Sequence, residues 1–252
     1  MKKVLIIIAV VLAVCLLAAI FLFDLFDFDN SAAEQKLDEI EEKIEERTEL
    51  DGNWLSGGDA ELEAMGICAV DIVWNPGDVT VSESEGDKII VNAGDKDALE
   101  YQVKNGTLYI SNTDGFENGN IKLKVLIPED LMIKLVSLNV VTSAADVYVE
   151  SEGFAAMNIV TASGNVSIDE NEAMEIEVVS ASGNITICTD EDDAFMMDYA
   201  SESGEVSVSF DSSFKNESTA DSEASYDHSF GNSMYQHINA VTASGSIKLI
   251  DD

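Results

Sequence analysis

Apolar and polar residues alternate along most of this chain, and the alternation recurs. Aligned on a glycine, five stretches share one pattern: LNVVTSAADVYV (Leu138–Val149), MNIVTASGNVSI (Met157–Ile168), IEVVSASGNITI (Ile176–Ile187), MDYASESGEVSV (Met197–Val208) and INAVTASGSIKL (Ile238–Leu249). The turn positions Ala145, Gly164, Gly183 and Gly204 are spaced 19, 19 and 21 residues apart, and Gly245 follows after 41, about two further periods. A fixed period near twenty marks a repeat architecture. Two and four residues after the turn stand Val166/Ile168, Ile185/Ile187, Val206/Val208 and Ile247/Leu249, with Ser167, Thr186, Ser207 and Lys248 between them. This is period-two alternation in β-branched residues, the pattern of a strand with one buried face. Seven residues before the turn stand Leu138, Met157, Ile176, Met197 and Ile238; three before it stand Thr142, Thr161, Ser180, Ser201 and Thr242. The Ser-Gly-Asn step suits a tight turn, because Gly accepts φ > 0 and Asn tolerates it. Each repeat reads as strand, glycine turn, strand. No such pair buries its apolar face alone, so neighbouring coils must stack. The expected fold is all-β, a β-solenoid with coils of about 19–21 residues.

The same register extends upstream. Val70–Val81 fits with Gly77 at the turn, and Leu99–Ile110 fits more loosely around Gly106. Lys88–Val91 and Ile121–Ile127 read as further strands, the second closed by Pro128. Between Val208 and Ile238 the repeat degenerates, which predicts a strand pair or longer coil with an exposed loop at Asn216–Ser225. The solenoid is thus expected over residues 61–252.

The N-terminal part reads differently. Lys2 and Lys3 precede an uncharged run, Val4–Phe23, and Asp24, Asp27 and Asp29 follow it. Twenty helical residues span about 30 Å, the thickness of bilayer hydrocarbon. Residues 1–30 are therefore expected to be a single-pass signal anchor, with a cytoplasmic N-terminus and an extracytoplasmic C-terminal domain. The rival is a cleaved signal peptide cut near Ser31-Ala32-Ala33, but the apolar run is long for one, and Phe26 and Phe28 resemble an interfacial belt. Residues 31–60 are expected to form a charged juxtamembrane stalk helix and linker. Leu37, Ile40 and Ile44 in that helix suit a solvated stalk or a short oligomerising neck, and Ser56-Gly57-Gly58 reads as a flexible break.

Charge and chemistry narrow the functional classes. Thirteen basic against 49 acidic residues give a net charge of −36, which disfavours a nucleic-acid partner. Hydrophobic residues make up 46% of the chain, enough to argue for a folded core. Its three cysteines show no zinc spacing; a Cys68–Cys188 disulfide is open outside the cell, although two buried thiols suit the pattern better. His228 and His237 are the only histidines and Arg47 the only arginine. No nucleophile elbow accompanies them, so no catalytic residue is assigned and the histidines are read as structural or incidental. The acidic runs Asp169-Glu170-Asn171-Glu172 and Asp190-Glu191-Asp192-Asp193 recur at the same place in successive coils. Stacked about 4.8 Å apart, such carboxylates would repel each other, and a hard cation such as Ca²⁺ would relieve that. The calcium candidates are Asp169, Glu170, Asp190, Asp192 and Asp193. The competing reading is a solvated edge that keeps the protein soluble. No other cofactor is implied.

The opening Pro76-Gly77-Asp78-Val79, the successive Val-Thr-x-Ser-Gly turns and the closing VTASGSIKL together resemble the putative-adhesin family of bacterial domains of unknown function. The resemblance covers about Glu61 to Asp252 and departs at Ala144-Ala145, which replace Ser-Gly. It implies a right-handed, single-stranded parallel β-helix, exported and tethered by one N-terminal helix, in some relatives beside envelope-stress genes; it implies no catalytic residues. The reading is a membrane-tethered, non-enzymatic binding, adhesion or scaffolding module at the bacterial envelope, with Val4–Phe23 in the membrane and an envelope protein or glycan as ligand. Two alternatives remain: a self-assembling β-helix filament and a polysaccharide-active β-helix enzyme.

Overall fold

The computed structural model describes residues 54–75, 77–95, 97–113, 121–129, 135–169, 172–190, 194–201, 203–209, 222–228 (backbone only) and 236–251. The expected anchor at Val4–Phe23 and the stalk helix at Ala32–Leu50 lie outside the described residues. Among the described residues no helix is long and apolar enough to cross a membrane.

The first half of the fold holds β1 (Leu55–Gly57), β2 (Asp59–Glu63), β3 (Ala69–Trp74), β4 (Val79–Ser84), β5 (Lys88–Asn92), β6 (Leu99–Lys104), β7 (Thr107–Asn112) and β8 (Leu123–Pro128). The repeats follow as β9 (Leu135–Thr142) and β10 (Val147–Glu150), β11 (Phe154–Ser163) and β12 (Val166–Asp169), and β13 (Glu175–Ser182) and β14 (Ile185–Thr189). The chain ends with β15 (Phe195–Ser201), β16 (Val206–Val208), β17 (Ser222–His228), β18 (Gln236–Ser244) and β19 (Ile247–Asp251).

These strands form two sheets. A ten-stranded sheet runs β1-β6-β7-β3-β9-β11-β13-β18-β15-β17, and a nine-stranded sheet runs β16-β19-β14-β12-β10-β4-β8-β5-β2. Each repeat gives its first strand to the larger sheet and its second to the smaller, with the glycine at the corner. The inward residues then stack in columns across coils. Leu138 lies on Met157 and Met157 on Ile176 in one sheet, Val147 on Val166 and Val166 on Ile185 in the other. All six are buried. Apolar side chains from both sheets thus share one core along the stack, as period-two alternation requires. Val166 and Ile168 face the core, while Ser167 between them is half-exposed.

Four sequence expectations change. The architecture is β-solenoid-like, but it is a two-sheet stack of mixed direction rather than one uniformly parallel β-helix, because antiparallel strands finish both ends of the larger sheet. Leu99–Ile110 is no coil: β6 and β7 form an antiparallel hairpin through Asn105-Gly106, with φ of 54° and 84°. Asn-Gly between two strands is a strong hairpin signal, since both central residues need positive φ. Leu55–Gly57 is paired with β6 rather than a flexible break.

The fourth change is in the order of coils. β18 pairs on one side with β13 and on the other with β15, parallel to both. The last coil in the sequence is therefore inserted between two earlier ones. Gly245, expected two periods beyond Gly204, stacks directly on Gly183, and Gly204 stacks on Gly245. The degenerate stretch supplies β17, which pairs antiparallel with β15 and finishes that end of the larger sheet. Residues 210–221 of it are outside the described set.

Candidate functional site

The corners come first, because they set how closely the coils stack. Gly164, Gly183 and Gly204 do not sit at positive φ; among the glycines expected at turns, positive values occur at Gly77, Gly106 and Gly245. A Cβ added at Gly164 would stand 2.0 Å from the carbonyl oxygen of Ala145, and one at Gly183 would stand 2.0 Å from that of Gly164. A Cβ added at Gly245 would likewise run into the Gly183 carbonyl oxygen, one at Gly204 into that of Gly245, and one at Gly77 into that of Ile121. The requirement is close approach of one backbone to the next, the other reason a strand-edge glycine is indispensable.

The asparagines that follow serve the same stacking. Asp146 Oδ1 accepts from the Asn165 backbone N–H at 2.7 Å, Asn165 Oδ1 from the Asn184 N–H at 3.1 Å, and Asn184 Oδ1 from the Ser246 N–H at 2.9 Å. Inside each corner from β9 onward sits a buried hydroxyl, whereas at the Gly77 corner the inward residue is Trp74, whose Nε1 donates to the Ile121 carbonyl at 2.9 Å. Thr142 Oγ1 accepts from the Ala145 N–H at 3.1 Å, Ser201 donates to the Gly245 carbonyl at 3.2 Å, and Thr242 donates to the Gly183 carbonyl at 3.2 Å. These bonds occupy backbone groups that turn away from the sheet ladders, as buried polar groups require.

Placing Thr and Ser inward has a consequence on the other side of the sheet. The residue before each hydroxyl points out, and it is Val141, Val160, Val179, Val241 or Ala200; in β3 Val73 takes that place, before the inward Trp74. Strand register aligns these into one row across β3, β9, β11, β13, β18 and β15. Beside it runs a polar row in the same register, Asp71, Asn139, Asn158, Glu177, Asn239 and Asp198. Those six strands contain no Lys or Arg. The described lysines of the smaller sheet are Lys88 in β5, Lys124 in β8 and Lys248 in β19. Lys122, just before β8, is ion-paired with Asp78 at 2.9 Å, which raises its ammonium pKa. The outer face of the larger sheet is thus a regular apolar row beside an amide-carboxylate row, and we take it as the candidate site. The sequence signal for it is the apolar-then-hydroxyl order of every repeat, Val-Thr in three, Val-Ser in one and Ala-Ser in one.

The other candidates lie elsewhere. Asp169 ends β12 and accepts from the Tyr148 hydroxyl at 3.4 Å, and Asp190 directly follows β14. Glu170, Asp192 and Asp193 are outside the described residues. Among the described residues no group of three or more His, Cys, Asp or Glu could hold a metal ion. Burial, then Glu150 and Asp169, push the Tyr148 phenol up to about 12. His237 lies 3.3 Å from Asp198, beside the polar row, and His228 belongs to β17. Cys68 and Cys188 form no disulfide. Cys188 is buried as expected, but Cys68 is exposed, because it precedes β3 and packs against the Gly106 turn.

This architecture, strand pairs stacked into two sheets around one core, defines the class of β-solenoid-like folds. Over residues 55–250 the chain matches the model of the Toastrack DUF4097 family, and it belongs to that family. A crystal structure named "putative cell adhesion protein" from Clostridium sporogenes has the same fold, with a TM-score of 0.54 at 14% identity, covering 78% of this chain and 100% of that one. A structure named "putative adhesin" from Bacteroides fragilis aligns at a TM-score of 0.31 and 12% identity, over 80% of this chain and 98% of that one. Comparison with curated proteins finds no match.

Proposed function

We propose that this chain is a non-enzymatic binding or adhesion module, held outside the cell by its N-terminal segment. The observation that carries this reading is the outer face of the larger sheet, where six stacked strands repeat the same apolar and polar rows. A repeated face of this kind offers extended contact, as solenoid surfaces generally do. The cell-adhesion name of the Clostridium structure agrees with it. The tether is inferred from Lys2, Lys3 and the apolar Val4–Phe23, and the coils are taken as right-handed. A role beside an envelope-stress system rests on the family resemblance alone. End-to-end filament growth is disfavoured, since antiparallel β17 finishes one end of the larger sheet and the β1-β6-β7 set the other.

The test has two arms. Protease added to intact cells should remove an epitope placed after Asp252, and beads coated with the protein should adhere saturably to envelope surfaces. An epitope protected until lysis would refute the topology. Beads that adhere no better than albumin-coated ones would refute the binding role.

A further inference from the structure

The face described above favours one kind of occupant, and this inference rests on the binding-module reading. Outward valines next to inward threonines invert the usual placement of apolar and polar residues in a half-buried strand. The inward hydroxyls of Thr142, Ser201 and Thr242 are used at the corners. The valines form a continuous row whose members from Val141 to Val241 are only half-buried. Apolar rows left at a surface beside polar rims are characteristic of interaction sites. Charge then selects the partner. The six strands carry Asp71, Glu175, Glu177 and Asp198 but no Lys or Arg, on a chain of net charge −36. A second copy of the chain would bring the same sign to the same place.

We propose that the outer face of the ten-stranded sheet docks a basic amphipathic helix of another protein, laid along the stack. Its apolar side rests on the Val141–Val160–Val179–Val241 row, and its lysines or arginines reach the row of Asp71, Glu177 and Asp198. The dimensions agree. Six strands about 4.8 Å apart span about 24 Å, the length of about 16 helical residues. Glu177 and Asp198 are two strand spacings apart, about 10 Å, which matches helix positions seven residues apart; Asp71 lies three spacings from Glu177, about 14 Å, matching positions ten apart. His237 Nε2 lies 3.3 Å from Asp198, beside that row.

The probe is a synthetic 18-residue helix with leucines on one face and lysines on the other, titrated by fluorescence anisotropy against the full chain in zwitterionic-lipid nanodiscs. Empty discs are the blank, and a peptide with every lysine replaced by glutamate is the charge control. The expected result is saturable binding by the lysine peptide alone. Val160→Thr with Val179→Thr, which keeps the branched shape and the fold, should weaken it by about tenfold or more. Asp198→Asn with Glu177→Gln should slow association and flatten the salt dependence, while Lys248→Ala on the opposite sheet should change nothing. No binding at 100-fold excess over protein overturns the proposal, as does equal binding by the glutamate peptide. Equal affinity for wild type and the double threonine variant would mean diffuse attraction to an acidic protein, and it also overturns it. So does self-association that those substitutions abolish, which would make a second copy the occupant. If the peptide fails while coated beads still adhere, this inference falls and the binding-module reading stands.

Discussion

Two glycines that look equivalent in the sequence, Gly106 and Gly164, do different physical work. Gly106 closes the β6–β7 hairpin at φ 84°, next to Asn105 at φ 54°. It is required because an L-residue is strained there. Gly164 has no positive φ, but a Cβ on it would stand 2.0 Å from the Ala145 carbonyl oxygen in the neighbouring coil. The first requirement is local and belongs to the turn. The second exists only when another coil is stacked against it. The difference separates the irregular N-terminal end from the repeat body, and it shows that a motif column records the neighbour as much as the backbone.

Substitutions can break this comparison, and the largest effect should come from the body's core. Val166→Asp buries an unpaired carboxylate and should cost several kcal/mol, enough to exhaust typical domain stability, whereas Ser167→Lys one residue away should cost no more than about 0.5 kcal/mol. Urea denaturation of both variants checks it. Gly164→Ala comes next, at about 3 kcal/mol, because the clash is with backbone and no rotamer relieves it. Thr142→Val leaves the buried Ala145 N–H without its acceptor and should cost about 1–3 kcal/mol by the same measurement. Gly106→Ala should cost about 1–2 kcal/mol for the left-handed backbone. Part of any excess over that should disappear when Cys68, whose Sγ lies 2.6 Å from the added Cβ, is also made Ala. A Gly164→Ala effect no larger than that of Gly106→Ala would erase the distinction between the two glycines.

The smallest effect concerns Tyr148. Its phenol, raised from 10.0 to about 12, keeps its proton longer in the folded than in the unfolded chain. That contribution is complete below pH 10 and is lost as pH rises from 10 to 12. Tyr148→Phe should therefore flatten the stability slope in that window. The absorbance titration of wild type minus Tyr148→Phe should show a midpoint near 12; one near 10 would contradict the assignment.

Much of this fold was legible in the alternation. The columns of Val166, Ile185 and Ile247 are buried as the pattern requires, and Gly77 aligns the β3–β4 coil with the later ones. What was misread follows from reading each repeat alone. The Asn at positions 165 and 184 suggested tolerance of positive φ, but it extends a hydrogen-bond ladder between coils, visible only once they stack. The Asn105-Gly106 step was locally diagnostic and was absorbed into the repeat register by its spacing. The outward valines looked like ordinary strand formers until register joined them into a row. The position of the last coil was invisible for a physical reason. INAVTASGSIKL and MDYASESGEVSV place Gly, hydroxyl and apolar residues at the same offsets, so either could stack on IEVVSASGNITI.

That insertion is also what completes the candidate face, by placing Val241 between Val179 and Ala200 and Asn239 between Glu177 and Asp198. It can be tested by cross-linking at the residues preceding the corner glycines. In a background with Cys15, Cys68 and Cys188 replaced by alanine, Ser182→Cys is paired either with Ser244→Cys or with Ser203→Cys. Ser182 and Ser244 are direct register partners, within the Cα range a disulfide needs. Ser203 belongs to the coil beyond, so it lies about two strand spacings, roughly 10 Å, from Ser182. Mild oxidation of the folded protein should close the 182–244 disulfide within one chain and leave the 182–203 pair reduced. Efficient 182–203 closure with an open 182–244 pair would mean that the coils stack in chain order, contradicting both the inserted coil and the face it completes.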